Sequence, residues 1–281
     1  MLFRSSETLI GEIAQDKIDG YLNRTSQTLT SDKSESNPNT RRSHVPIREQ
    51  PSYIKGGQLR DFQITGLNFL AYNWTKNKNV ILADEMGLGK TVQTVSFMSW
   101  LRHDRNQNGP FLVIVPLSTM PAWGDTFDFW APDTNYIVYN GKESSRSIIR
   151  DCELLSDGDV RKPKFNVLLT SYEYILADAN FLGQIKWQFM AVDEAHRLKN
   201  RESQLYQRLL DFKTPSRLLI TGTPVQNTLG ELSALMDFLM PGEVDIEDDM
   251  DLTSEAAGEK IAALTTRSEE HTSELQSPVL S

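Results

Sequence analysis

From Gln58 onward the chain alternates between two kinds of block. Short continuous apolar runs are separated by longer stretches whose apolar residues recur every three or four positions. The runs Asn79-Val80-Ile81-Leu82-Ala83 and Phe111-Leu112-Val113-Ile114-Val115 read as strands. So do Asn135 to Tyr139, Phe165 to Thr170, Phe189 to Val192 and Arg217 to Thr221. Continuous apolarity in so short a run marks a strand covered on both faces. Leu59 to Trp74, Thr91 to Leu101 and Leu229 to Leu239 carry helical spacing, and in the second of these Val92, Val95, Met98 and Leu101 fall on the inward face. The alternation predicts an α/β fold: a parallel sheet with helices on both faces. In such sheets ligands bind at the carboxyl ends of the strands.

The flanks differ. Residues 1–24 hold a weak helical period through Leu9, Ile13, Ile18 and Leu22. Residues 25–55 have the Ser, Thr, Asn, Pro and charge content of a linker. The patterned region spans 56–242. From 243 to 266 the chain reads as an acidic insert or loop. Residues 267–281 open on RSEEHTSELQS, which resembles the in-frame translation of a sequencing-library adapter and is expected to be an assembly artefact.

Composition changes this picture little. The chain has 281 residues, is 39% hydrophobic and carries one cysteine, Cys152, which excludes a disulfide framework. The Met1 end lacks a signal-peptide run, and no stretch reaches the length of a membrane span, so a soluble intracellular protein with no membrane partner is expected. The net charge of -9 is local. Glu243 to Ser281 holds eleven acids against Lys260 and Arg267, a net of -9 that leaves residues 1–242 near neutrality. Such a balance neither reveals nor excludes a basic groove for nucleic acid.

Two polar signatures sit at strand ends. ILADEMGLGKTVQT (Ile81 to Thr94) places Gly87, Leu88, Gly89, Lys90 and Thr91 between a strand and a helix. That is the context of a phosphate-gripping loop, in which Lys reaches the outer phosphates and Ser or Thr holds magnesium. The strict pattern wants a glycine where Asp84 stands, so an accidental Gly-rich turn is the alternative. Asp193-Glu194-Ala195-His196 follows the Phe189 strand. Alone it could be an acidic helix start. After a phosphate loop it suits magnesium-nucleotide chemistry, one carboxylate orienting the metal and the other an attacking water.

ADEMGLGKT, DEAHRLKN and TGTPVQN together resemble the SWI/SNF-related branch of superfamily-two DNA translocases. QPSYIKGGQLRDFQITGLNFL, VPLSTMPAW and IKWQFMAVDEAHRLKN are similar to the first subfamily of the CHD chromatin remodellers. The resemblance covers about residues 50–242, and residues 7–24 resemble more faintly the end of that family's second chromodomain. It implies the first of two RecA-like lobes of a P-loop NTPase. The implied activity is a DNA-dependent ATPase that uses ATP and Mg2+ on double-stranded DNA and nucleosomes in the nucleus.

By this resemblance Gln63 reads adenine, with Asp84, Gly87, Leu88, Gly89, Lys90 and Thr91 forming the nucleotide site. Thr91 and Asp193 serve the metal, and Lys90, Asp193 and Glu194 are catalytic. His196, Thr221, Thr223 and Gln226 couple nucleotide state to the lobe interface. Ser118, Thr119, Thr170, Tyr172, Lys199 and Asn200 fall where the family grips DNA phosphates, although an ordinary loop role is as good a reading for each. Trp123 and Trp130 read as core rather than as a base-stacking pair. The family's second lobe is missing, so this polypeptide is expected to bind ATP without completing hydrolysis. A non-motor nucleotide- or DNA-binding module and a strand-separating helicase are the other readings.

Overall fold

The computed structural model describes residues 44–222 and 229–241. In chain order the sheet and helix elements are α1 (Asp61–Thr75), β1 (Val80–Leu82), α2 (Lys90–Arg105), β2 (Phe111–Val115), α3 (Met120–Trp130), β3 (Tyr136–Tyr139) and α4 (Glu143–Ile149). A π-helical turn (Arg150–Leu154) and a hairpin of β4 (Leu155–Ser156) and β5 (Asp159–Pro163) follow. Then come β6 (Val167–Ser171), α5 (Tyr172–Ala177), α6 (Ala179–Leu182), β7 (Phe189–Val192), a 3-10 turn (Ala195–Leu198), α7 (Gln204–Asp211), β8 (Arg217–Ile220) and α8 (Leu229–Leu239).

Six strands form one sheet in the order β1-β8-β7-β2-β6-β3, every neighbouring pair parallel. The four central strands are buried along their whole length, while β3 at one edge alternates half-buried and buried residues. This is the α/β sandwich that the apolar runs predict, because a strand with helices on both faces has no side left for polar residues.

The period of two appears in the cores themselves. Phe111, Val113 and Val115 enter one apolar cluster with α1, α2 and α3, and Leu112 and Ile114 enter the other with α5, α7 and α8. Helix α2 is buried more completely than its pattern implies. Gln93, Thr94, Ser96 and Ser99 are as inaccessible as Val95 and Met98, since α1 and α3 pack on α2 from outside. Gly66 of α1 permits the closest approach: a Cβ there would lie 1.7 Å from Gln93 Oε1.

The linker expected over 25–55 does not hold for its described end. Residues from His44 onward strap across the domain. Asn68 of α1 accepts from the Ile47 amide and donates to the Ile47 carbonyl, both at 2.7 Å. Gln50 holds Ile54, Gly57 and Leu59 through their backbones, and Ile54 and Leu59 are buried. Polar composition concealed the strap, because a few anchors rather than a periodic face hold it. The rest of that linker, the N-terminal segment 1–24 and the acidic and adapter-like segments (243–281) lie outside the described residues.

Candidate functional site

Three loops meet at the carboxyl edge of the sheet. The loop after β1 enters α2 with Gly87 and Gly89 at positive φ (86° and 74°), backbone that glycine adopts without strain. A Cβ at Gly87 would meet nothing within 4 Å, so that stretch borders open space. Gly89 is the N-cap of α2 and supplies no side-chain cap, which leaves the helix amide end directed at the loop. Lys90 Nζ donates to the Asp84 and Glu85 carbonyls at 2.7 and 2.9 Å, so a cation spans the loop mouth. Thr91 occupies the first turn of α2. Leu88 is exposed at the loop tip.

Gln63 lies beside this loop. Its Nε2 would be 2.5 Å from a Cβ on Gly89, while its Oε1 accepts from the Arg60 amide at 3.0 Å. A cavity of 520 Å³ opens along the same first turn of α1, lined by Arg48, Gln50, Gln58, Asp61 and Ile64 among others. Asp84, which stands where the strict loop pattern has glycine, accepts from Gln93 Nε2 at 3.0 Å.

The acidic pair follows β7, two strands from β1 with β8 between them. The Asp193 amide donates to the Ile114 carbonyl at 2.8 Å and extends the ladder one residue past β7. Its Oδ1 accepts from the Glu194 amide and its Oδ2 from the Trp123 indole, both at 3.0 Å. Burial pushes the Asp193 carboxyl above its ordinary range. The indole, the Glu194 amide and the Lys90 ammonium pull it back, and the Glu194 charge adds to the rise. Glu194 sits at φ 50°, ψ 50°, a left-handed conformation rare for its type, and its Oε2 pairs with His196 Nδ1 at 3.2 Å.

Thr221 joins β1 to the acidic edge. It is buried, and its amide donates to the Leu82 carbonyl at 3.1 Å. A Cβ on Gly222 would lie 2.8 Å from Met86 Cγ, so the phosphate-loop candidate rests on the segment after β8. Thr223 and Gln226 lie outside the described residues.

The six expected DNA contacts separate into two groups. Ser118, Lys199 and Asn200 are exposed and Thr119 half-buried at the carboxyl edge. Lys199 Nζ meets Glu231 Oε1 at 3.0 Å, and Asn200 Oδ1 accepts from the Glu202 amide at 2.9 Å. Thr170 and Tyr172 turn inward instead. Thr170 Oγ1 donates to the Tyr139 carbonyl at 2.9 Å within the core. Tyr172 is buried, with its hydroxyl donating to the Asp193 carbonyl. Their place at a strand end is as expected, but the side chains pack away from solvent, where a phosphate cannot reach either hydroxyl.

Trp123 is core, as read, and Trp130 is half-buried. What the reading missed is the polar handle on Trp123. A buried indole N–H needs an acceptor, but the sequence does not say which: Trp187 takes the Leu182 carbonyl and Trp123 the Asp193 carboxylate.

Residues 62–272 match the sequence family described as the SNF2-related domain. The chain belongs to that family. Over 236 residues it is 49% identical to "Chromodomain-helicase-DNA-binding protein 1" of Gallus gallus, a stretch that is 83% of this chain and 14% of the relative. Over 204 residues it is 52% identical to "Protein CHROMATIN REMODELING 5" of Arabidopsis thaliana, 72% of this chain and 12% of the relative. Among solved structures it is similar to the "Sulfolobus solfataricus SWI2/SNF2 ATPase core in complex with dsDNA". The TM-score is 0.60 and the identity 30%, with 70% of this chain and 38% of the other covered. The chain spans about one-seventh of the length of these curated relatives. These similarities agree with the resemblance carried by the GLGKT, DEAH and TGTP strings.

Among the described residues, no group of three or more His, Cys, Asp and Glu could hold a metal ion by itself. Mg2+ is usually bound through one or two carboxylates together with substrate phosphates, so a dedicated cluster is not required, and the Asp193 carboxylate is of the donor type it takes. No helix among the described residues is long and apolar enough to cross a membrane.

Proposed function

We propose that this SNF2-related domain is the nucleotide-binding lobe of a DNA-dependent ATPase that remodels chromatin in the nucleus. The observation that carries this is the convergence of Lys90, Asp193 and Thr221 on one edge of the sheet, after β1, β7 and β8, which are neighbours in it. Gln63 faces the adenine with an amide that can donate and accept. Gly87, Gly89 and the α2 amide end take the phosphates, with Leu88 at the loop tip and Asp84 bracing its base. Lys90 supplies charge to the outer phosphates. Thr91 and Asp193 hold the metal. When bound, Mg2+ neutralises charge on the phosphoryl group being transferred.

Glu194 orients the attacking water from the left-handed turn that follows the strand. His196, paired with Glu194, senses that carboxylate and passes its state toward the Thr221–Gln226 segment. Ser118, Thr119, Lys199 and Asn200 line the face offered to duplex phosphates, contacts that position DNA without reading its sequence. The names of the relatives and the duplex in the solved neighbour support double-stranded DNA and nucleosomes as partners. Arginines from a second RecA-like lobe complete the hydrolytic site in such motors, an effect of about a thousandfold or more. A first lobe separated from its second would therefore bind ATP but turn it over little.

Calorimetric titration of this polypeptide with Mg·ATP tests the reading. Binding that Lys90→Ala abolishes is the expected result. Equal binding by the unmodified chain and Lys90→Ala would remove the assignment of the phosphate loop. DNA-stimulated turnover by the polypeptide alone would show that one lobe suffices.

A further inference from the structure

We propose that Trp123 is a positioning residue: its indole sets the Asp193 carboxylate for the metal and ties that carboxylate to the loop between β2 and α3. The proposal rests on the reading of Asp193 as the metal-orienting acid.

Three observations carry it. First, Trp123 is 1% exposed and its one polar atom donates to Asp193 Oδ2 at 3.0 Å, across seventy positions of sequence. A phenyl ring would fill most of that apolar site, but it would leave the carboxylate short of a donor. Second, the other oxygen, Oδ1, is held by the Glu194 amide at 3.0 Å. With a donor on each oxygen the carboxylate plane cannot rotate freely, and the remaining lone pairs point in fixed directions. Partners of this kind orient metal ligands. Third, Trp123 lies one helical turn from the loop that ends at Thr119. The Trp123 amide donates to the Thr119 carbonyl at 3.1 Å, and the Thr119 amide and Oγ1 both donate to the Pro116 carbonyl, at 3.0 and 3.1 Å. Pro116 to Trp123 thus forms one stiff piece.

The Tyr172 hydroxyl on the Asp193 backbone carbonyl holds the same residue from the β6 side. It fixes the main chain, while the Trp123 indole and the Glu194 amide hold the carboxylate.

The test measures the Mg2+ concentration needed for half-maximal binding of a fluorescent ATP analogue by the 281-residue chain. Affinity in EDTA and thermal melting are recorded alongside. In folded Trp123→Phe the Mg2+ requirement is expected to rise roughly tenfold or more, with affinity in EDTA unchanged. An unchanged Mg2+ requirement in folded Trp123→Phe, when Asp193→Asn does raise it, overturns the inference and leaves the Asp193 reading standing. An unchanged requirement in Asp193→Asn overturns both.

Should Trp123→Phe fail to fold, the unmutated chain answers through NMR of its indole N–H groups, assigned by replacing the other four of its five tryptophans in turn. The Trp123 signal is expected to shift when Mg2+ joins the nucleotide-loaded chain. A signal that stays in place overturns the inference.

Discussion

Asp84 Oδ2 accepts a hydrogen bond from Gln93 Nε2 at 3.0 Å. The residue that departs from the strict phosphate-loop pattern is therefore the one that ties the loop to its helix. Gln93 is buried between α1 and α2, where Gly66 leaves room for its amide. Gln93→Ala should cost about 2 kcal/mol, the typical worth of a hydrogen bond to a charged group, and should weaken nucleotide binding as the loop loosens. Asp84→Asn keeps an acceptor oxygen and should retain most of both. Chemical denaturation and nucleotide titration of the two variants check this. Equal losses in both would mean that the bond depends on the Asp84 charge and that a neutral acceptor cannot replace it.

Glu194 combines a candidate chemical role with a backbone conformation that costs about 1–2 kcal/mol outside glycine. On the role proposed for Glu194, Glu194→Gln in the full-length protein should bind Mg·ATP as before while hydrolysis stops. Glu194→Gly should also stop hydrolysis, yet its melting should hold level or gain up to about 1 kcal/mol, since glycine relieves the left-handed turn. The exposed pair lost with His196 is worth little. A fall in stability of several kcal/mol in Glu194→Gly would show that the side chain, not the strain, governs this turn.

Tyr172 separates a structural role from a DNA role. Its phenol is held well above the ordinary range, by burial first and by the Asp193 charge second, and the Arg197 guanidinium covers its ring at 4.8 Å. Tyr172→Phe should lower stability by about 1 kcal/mol and leave duplex-DNA affinity at fixed salt unchanged. Ser118, exposed on the same edge, is the contrasting probe. Anisotropy titrations in which Tyr172→Phe loses affinity and Ser118→Ala does not would reverse these assignments.

Asp178 predicts an acid limit to stability. The carboxylate accepts from Arg146 Nε at 2.6 Å, from Arg150 at 2.9 Å and from the Tyr139 hydroxyl at 2.8 Å. Burial alone would raise its pKa, but these donors outweigh burial and hold the carboxyl below its usual value of 3.8. With a depressed folded pKa the contribution is complete above that value and is lost as pH falls through the lower, folded one. Asp178→Asn should cost about 3 kcal/mol near neutrality, because it removes the buried anion of the network and leaves both guanidiniums only the exposed Glu143 as an anion. Its urea midpoint should also fall less steeply than that of the unmodified chain as pH drops from 5 toward 3. Parallel slopes would place the acid sensitivity elsewhere.

Local pattern was sufficient for much of this protein. Phe111 to Val115, Phe189 to Val192 and Leu229 to Leu239 are the elements that their apolar spacing predicts, with the same ends. GLGKT and DEAH stand at strand ends because a buried strand must be apolar and a polar signature can begin only where it stops. These properties depend on neighbours a few positions apart, and hydrophobic periodicity records such neighbours directly. Pairings between distant residues depend on the strand order β1-β8-β7-β2-β6-β3, which no local pattern encodes. Only the tertiary structure brought the Trp123 indole to Asp193, turned Thr170 and Tyr172 inward, buried the polar residues of α2 beneath α1 and α3, and laid the strap from His44 to Gly57 across the core. Burial can be read from one stretch of chain, whereas the partner of a buried polar atom is set by whichever element the packing places beside it.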